Sequence, residues 1–363
     1  MSIKVTVTQY LNVRVGKPSV NAPCYNYLSP GSVIEVNETL VTGDVYDGNN
    51  KWYQGLDGSY YWSGGVASNN TPNAINGANA YYNSYKQLTN WNQNLNNIPP
   101  EWFKTKGNGV KIAVLDTGIF SGHQDLENAI CYNQSFDPNR NSDDIAGHGT
   151  AVAGIIGARS NYINGVIGVA PLCQIINIRV LFDPIPNATN IISALDSAVQ
   201  QGADIINLSF DYKDHNEALT NKIIDIATNK KIAIIAAAGD NNDILTVNPV
   251  FFPASIAEVI SVGTVSKGFF DANPNYNKSI NIVGQLINFS STSISPNFYA
   301  PFAGSSAATA FISGITALFL SFKRNGGTNR FSKAEIIEAL TPYSTPIDNI
   351  NYTDATKFYF NII

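Results

Sequence analysis

Between residues 110 and 264, short apolar runs alternate with longer amphipathic segments, and this alternation restricts the fold of the 363-residue chain more than any other feature. The runs at 110–116 (VKIAVLD), 175–181, 203–208, 232–238 and 258–264 have strand length, and helices are expected from about 150, over 190–201 and over 218–230. Strands separated by helices form a parallel sheet with helices on both faces, so the expected class is α/β. The apolar run 306–320 contains no proline and is too long for a strand; it reads as a buried helix with Ser306 at its N-terminus. Ser332, with Glu335 three residues on and then Ile336, Ile337 and Leu340, starts another helix with a capping box.

Residues 1–66 follow a different rhythm. Val5 and Val7, LNVR at 11–14, GSVIEV at 31–36, KWYQG at 51–55 and YYWSGGV at 60–66 alternate with period two between Gly, Pro and Asn, which fits a five-stranded barrel or a small sheet sandwich. LNVR, GSVIEV and the Trp-Tyr strand resemble bacterial SH3-like domains. Trp52, Tyr53 and Trp62 could line a peptide-binding face, but in so small a domain a core role is favoured. Residues 67–100 are rich in Asn, Ser, Gly and Tyr and end in Pro99-Pro100, the composition of a linker. The expected division is therefore 1–66, 67–100 and 101–363.

Composition removes several functions. The net charge is -5 and no Lys/Arg run exceeds two residues, which argues against a nucleic-acid partner. Apolar stretches such as Ile232–Ala238 and Ile312–Leu320 fall short of the roughly 20 residues of a membrane span. The N-terminus, MSIKVTVTQYLNV, lacks the continuous apolar core of a secretory signal. Cys24, Cys131 and Cys173 are odd in number and in no metal-like spacing, so free thiols in a reducing, cytoplasmic compartment are expected, with export by another route left open.

Chemistry gathers at three places. Asp116 ends a strand, where a parallel sheet forms its crevice. His148, in GHGT, starts an Ala/Gly-rich helical segment, and Ser306, in GSS, starts the long helix. A serine hydroxyl becomes a nucleophile when an imidazole accepts its proton, and the imidazole needs a carboxylate to fix its tautomer. The helix N-terminus beneath Ser306 favours negative charge on an attacked carbonyl oxygen.

VLDTGI at 114–119, HGT at 148–150, GVAP at 168–171, INLS at 206–209, AAAGD at 236–240 and GSSAATAFISG at 304–314, with FFPAS and VISVGTV between the last two, together resemble the subtilase family. The resemblance implies a subtilisin-like three-layer α/β fold with a central parallel sheet, here preceded by a small all-β SH3-like barrel. It implies a serine endopeptidase working through an acyl-enzyme, with Asp116 orienting, His148 as general base then acid, and Ser306 as nucleophile. It further implies that Asn207, Leu208, Ser209, Phe210 and Asp211 face Ala236, Ala237, Ala238 and Gly239 across the S1 pocket and offer main chain to a protein or peptide substrate. No cofactor is required for this chemistry.

Departures from the family pattern carry their own expectations. Asp240 stands where the family has an oxyanion-hole Asn, and an ionised carboxylate accepts without donating. Loss of one such donor costs about 2.7–4 kcal/mol in a related protease. An active but slow enzyme, faster at mildly acid pH, is expected, although one branch of the proprotein convertases carries an Asp there and Asn241 or Asn242 lies adjacent. Ser305, Ala310, Phe311 and Asp211 are milder departures. Phe251 lies near the floor of S1 and predicts small P1 residues. Asp125, in HQDL, matches a family carboxylate that binds structural calcium and is a candidate ligand, although Tyr162 replaces a companion Asn. His123 and His215 lie outside the motifs and read as surface or loop residues.

Three functional readings remain at this point. One is an endopeptidase whose N-terminal module binds a partner or restrains access. Another is a catalytically impaired subtilase-fold protein that binds peptides or regulates. In the third, the N-terminal module is the functional centre.

Overall fold

The computed structural model describes residues 2–7, 11–22, 24–28, 32–46, 48–68, 99–159, 165–182, 187–211, 216–239, 250–265, 282–285 and 289–343. The chain packs as two units, residues 1–93 and 94–363.

In the first unit, alternating sequence becomes strands: β1 (Ser2–Val7), β2 (Leu11–Arg14), β3 (Cys24–Leu28), β4 (Val33–Asn37), β5 (Val41–Tyr46), β6 (Asn49–Gln54), β7 (Tyr60–Trp62) and β8 (Val66–Ser68). They form antiparallel sheets with orders β4-β1-β8 and β3-β2-β7-β6-β5. Val5, Val7, Leu11, Val36, Trp52, Tyr61 and Trp62 share one buried cluster, with Val5 and Val7 on the same face of β1 as the pleat requires. The indole N–H groups of Trp52 and Trp62 donate to the carbonyls of Asp44 and Asn49, each at 3.0 Å, so both rings are buried without an orphaned donor. Strands β3, β5 and β8 are additional to the sequence reading; in β5, Gly43 interrupts the alternation that would reveal it.

The second unit opens with helix α1 (Pro100–Thr105), which has proline in its first turn and buries Trp102 and Phe103. Its sheet contains β9 (Lys111–Asp116), β10 (Ile130–Ser135), β11 (Gln174–Arg179), β12 (Ile205–Leu208), β13 (Ala233–Ala237), β14 (Ile260–Val265) and β15 (Ile282–Gln285). All seven run parallel in the order β10-β11-β9-β12-β13-β14-β15. A two-stranded antiparallel ribbon, β16 (Phe289–Thr292) and β17 (Tyr299–Phe302), follows. The helices are α2 (His148–Gly157), α3 (Ala188–Gln200), α4 (Glu217–Thr228), α5 (Ser305–Arg324) and α6 (Lys333–Leu340).

Alternation along the strands sorts side chains between two layers. Ala113, Leu115, Ile206 and Leu208 enter one cluster with Ile191 and Leu195 of α3 and Leu219, Ile223 and Ile226 of α4. The intervening Ile112, Val114 and Asn207 are equally buried and turn to the opposite face, where α2 packs on β9 and α5 on β12, β13 and β14. Asp116, in step with Ile112 and Val114, therefore points to the α2 side. Because β10 and β11 flank β9 on one side and β12 to β15 on the other, Asp116 also lies at the crevice where strand order reverses.

Helix α5 is the centre of this unit. Among the described residues it is the one helix long and apolar enough to cross a membrane, and 83% of that stretch is buried within the protein. The helix continues past the expected 306–320 through the polar turn Ser321–Arg324, and Ser313, Gly314 and Thr316 are buried within it. Asn325 ends it in the left-handed conformation, and Lys323 and Arg324 occupy the last turn, where cations suit the dipole. Arg324 is anchored on Asp204 at 2.9 Å. Helix α6 begins with the capping box expected from Ser332 and Glu335.

Candidate active site

The register of the sheet puts the C-terminal ends of β9 and β12 side by side. Asp116 is fully buried there, and its Oδ1 accepts hydrogen bonds from the Thr117 amide at 2.7 Å and from Nδ1–H of His148 at 2.8 Å. Oδ2 is buried and has no hydrogen-bond partner among the described residues. Bonding to Nδ1–H fixes the imidazole tautomer and leaves Nε2 as the basic nitrogen. The His148 side chain remains 33% exposed, with its edge against the ring of Phe302 at 5.2 Å. A base must reach its substrate while its orienting carboxylate stays dry, and this pair meets both demands.

Ser306 lies in the first turn of α5, beyond Gly304. Its hydroxyl donates to the Ser209 carbonyl at 2.9 Å, and the Ser209 hydroxyl donates to the Ser306 carbonyl at 3.1 Å. This reciprocal pair ties the α5 start to the segment after β12. Beneath it, Asn207 Nδ2 donates to Ser209 Oγ at 2.8 Å, and Ser313 Oγ donates to Asn207 Oδ1 at 2.9 Å. The Asn207 amide is thus spent inside the protein. Leu208 and Ala236 are fully buried as well, so at these three positions no side chain is exposed. Phe210 is half-buried and Asp211 exposed.

At the end of β13, Ala236, Ala237 and Ala238 are buried, and Gly239 adopts φ 99°. The Phe251 amide donates to the Ala238 carbonyl at 3.2 Å, and its ring lies where a Cβ on residue 239 would be. Phe251 and Gly239 are therefore in close contact. Asp240, Asn241 and Asn242 lie outside the described residues, as do Tyr162 and His215.

His123 lies in a loop, one of the two expected places, but it is completely buried and not at the surface. Its Nδ1 accepts from the Asp125 amide at 3.1 Å and its Nε2–H donates to the Phe298 carbonyl at 3.1 Å, so a neutral ring satisfies both nitrogens. Burial lowers its pKa, against a smaller raising effect of the Phe298 carbonyl.

Asp125 is fully buried, with Oδ2 accepting from the Val166 amide at 2.8 Å and Oδ1 without a partner among the described residues. Burial raises its pKa, only partly opposed by the Val166 N–H and the Tyr299 hydroxyl. A calcium ion needs six to eight oxygens. No group of three acidic, histidine or cysteine residues able to hold a metal occurs among the described residues, and residues 160–164 of the companion loop lie outside them.

Sequence reasoning missed Asp144, which is 3% exposed and accepts hydrogen bonds from both Thr117 and Thr150. A usable signal was present. Its carboxylate precedes by three residues Gly147, the N-cap of α2, which has no side chain with which to cap the helix.

Comparison with known proteins agrees with this architecture. The profile of the subtilase family (peptidase S8) matches residues 107–354. The thermophilic serine proteinase of Bacillus sp. (strain AK1) is 37% identical over 229 residues, covering 62% of this chain and 55% of that protein. The major intracellular serine protease of Bacillus subtilis (strain 168) is 33% identical over 264 residues, covering 69% of this chain and 81% of that protein. Thermitase of Thermoactinomyces vulgaris is 30% identical over 234 residues, covering 64% of this chain and 82% of that protein. With the parallel sheet, the placement of its motifs and this coverage in agreement, the chain belongs to the subtilase family of serine endopeptidases.

Proposed function

We propose that the chain hydrolyses peptide bonds through Asp116, His148 and Ser306. The observation that carries this reading is the 2.8 Å hydrogen bond from the half-exposed His148 to the dry Asp116 carboxylate, at the strand edge where Ser209 meets Ser306. In this scheme His148 Nε2 takes the hydroxyl proton as Ser306 Oγ attacks the peptide carbonyl carbon. The resulting imidazolium is stabilised by Asp116 and then protonates the leaving amine. Water repeats the sequence on the acyl-enzyme. Main chain at 207–211 and 236–239 holds the peptide as an added strand, Phe251 shortens S1, and Asp240 occupies the oxyanion position. The chemistry calls for no cofactor.

The test is labelling with a fluorophosphonate probe. Labelling of the full chain that disappears in Ser306→Ala supports the enzyme; an unlabelled wild type between pH 5 and 8 overturns it. One observation favours the second reading, a peptide binder with little turnover: the Ser306 hydroxyl rests on the Ser209 carbonyl. The same experiment decides between them.

For residues 1–66 we favour an SH3-like barrel that binds a partner or restrains access, with a division at 1–66, 67–100 and 101–363. The Trp52/Trp62 core and antiparallel sheets support that reading. Peptide turnover compared between the full chain and a chain lacking residues 1–66 measures the restraint. A reducing, cytoplasmic setting is supported by a relative whose name describes it as intracellular and by the free thiols of Cys131 and Cys173. Burial pushes the Cys173 thiol up to about 12, which makes it inert.

A further inference from the structure

The segment 141–147 supplies no member of the proposed triad, yet it carries a carboxylate with five hydrogen bonds: three on one oxygen of Asp144 and two on the other. Oδ1 accepts from Thr117 Oγ1 at 3.0 Å, the Ala146 amide at 2.8 Å and the Gly147 amide at 3.0 Å. Oδ2 accepts from the Thr150 amide at 3.0 Å and from Thr150 Oγ1 at 2.6 Å. Burying a carboxylate is costly unless its lone pairs are engaged, and here both oxygens are. The site also lies at the start of α2, where amides and dipole favour a negative charge. Gly147, the N-cap, takes φ 93° and contributes no side chain, so Asp144 acts as the missing cap.

What Asp144 joins is more informative than how many bonds it accepts. Thr117 follows Asp116 in sequence, and its amide shares Asp116 Oδ1 with the imidazole N–H. Thr117 Oγ1 also accepts from the Gly149 amide at 2.9 Å, next to His148. Thr150 Oγ1, donating to Asp144, accepts from the Phe120 amide at 3.0 Å. One carboxylate thereby fastens the strand end that carries Asp116 to the helix start that carries His148, through a threonine on each side.

We infer that Asp144 is a positioning residue: acting through Thr117 and Thr150, it holds the His148 imidazole on Asp116. The inference rests on the endopeptidase reading for its kinetic consequences and on geometry alone for its structural one. Without the carboxylate, three amides and two hydroxyls lose their acceptor, and the first turn of α2 must resettle. An imidazole displaced by a fraction of an ångström loses proton transfer to and from the reacting atoms. The peptide-binding walls lie on other strands, so the loss falls on kcat and leaves KM nearly unchanged.

The experiment compares full-length wild type with Asp144→Asn, Thr117→Val and Thr117→Ser. Three quantities are read: kcat and KM on a peptide substrate, the low-field proton NMR signal of Nδ1–H in His148, and the unfolding midpoint. Asp144→Asn and Thr117→Val are expected to lower kcat roughly 10–100-fold with KM within about twofold. They should also shift or broaden the low-field signal, while Thr117→Ser restores most of both. Should Asp144→Asn fold poorly, the near-isosteric Thr117→Val carries the test. The inference is overturned if kcat and the low-field signal survive in Thr117→Val, or if Thr117→Ser loses as much as Thr117→Val. A signal that responds as expected in a wild type inert to the fluorophosphonate upholds the positioning and sinks the endopeptidase reading instead.

Discussion

Gly149 lies directly against Asp116: a Cβ built on Gly149 would stand 3.0 Å from the Asp116 Cβ and would press into the Gly118 carbonyl. The close approach of α2 to the end of β9 therefore depends on a hydrogen atom where other residues carry carbon. Gly149→Ala should cost about 1–3 kcal/mol through overpacking. It should also lower kcat on the order of 100-fold by moving His148 off Asp116. Denaturant unfolding and steady-state kinetics on the same preparation check both effects. A variant with wild-type kcat would show that the approach can relax.

Asp240 is expected to limit the rate. At the proposed oxyanion position, Asp240→Asn would supply a donor in place of a carboxylate that repels the developing oxyanion, and kcat should rise by up to about 100–1000-fold near neutral pH. The gain should shrink as pH falls, since a protonated acid can itself donate. Profiles of kcat/KM for both proteins from pH 5 to 8 test this; a flat wild-type profile with no gain in Asp240→Asn contradicts it.

Phe251 is expected to set P1 preference. Its ring rests on Gly239, so if it forms the proposed S1 floor, Phe251→Ala deepens the pocket, and kcat/KM for Phe or Tyr at P1 relative to Ala should rise by roughly tenfold or more. Cleavage of a peptide library by both proteins measures the change. Efficient cleavage after Phe or Tyr by wild type would refute the assignment.

The buried acid at Asp125 makes stability depend on pH in a definite direction. Its folded pKa is raised, so the native state holds the proton more tightly than the unfolded chain. Stability falls as pH climbs from the ordinary carboxylate value to the raised one; the penalty is complete above that window and absent below it. Asp125→Asn keeps an acceptor for the Val166 amide and removes the charge. It should gain on the order of 1 kcal/mol at neutral pH and nothing near pH 3. Thermal unfolding at both pH values, with and without a chelator, is the check. A loss of stability at neutral pH, together with loss of chelator sensitivity, would instead establish a bound cation.

The parallel sheet was legible because strands buried on both faces, such as β9 and β13, are written as unbroken apolar runs. Strand β10 was not. Its sequence, ICYNQS, alternates half-buried with exposed positions over its first four residues at the sheet's edge and carries Asn133 and Gln134, so nothing in it resembles its central neighbours. The positions of Asp116, His148 and Ser306 could be read from glycine-flanked motifs at strand and helix ends. The burial of His123 could not, since it is decided by partners distant in sequence, and Asp144 was marked only by its place three residues before a glycine N-cap. His123 bonds Phe298, and Asp144 bonds Thr117. Adjacent Asp143 and Asp144 look identical in sequence, yet Asp143 Oδ1 accepts from the exposed Ser121.

Helix α5 carries Ser306 at one end and an Arg324–Asp204 anchor at the other, and its middle turns are sealed in the interior. Amide protons of such a segment exchange with solvent only when the whole unit opens. The Ser306 hydroxyl, the proposed nucleophile, cannot then come adrift in a small local excursion. Heat inactivation should coincide with cooperative melting, with no intervening stage in which a folded molecule has already lost its serine.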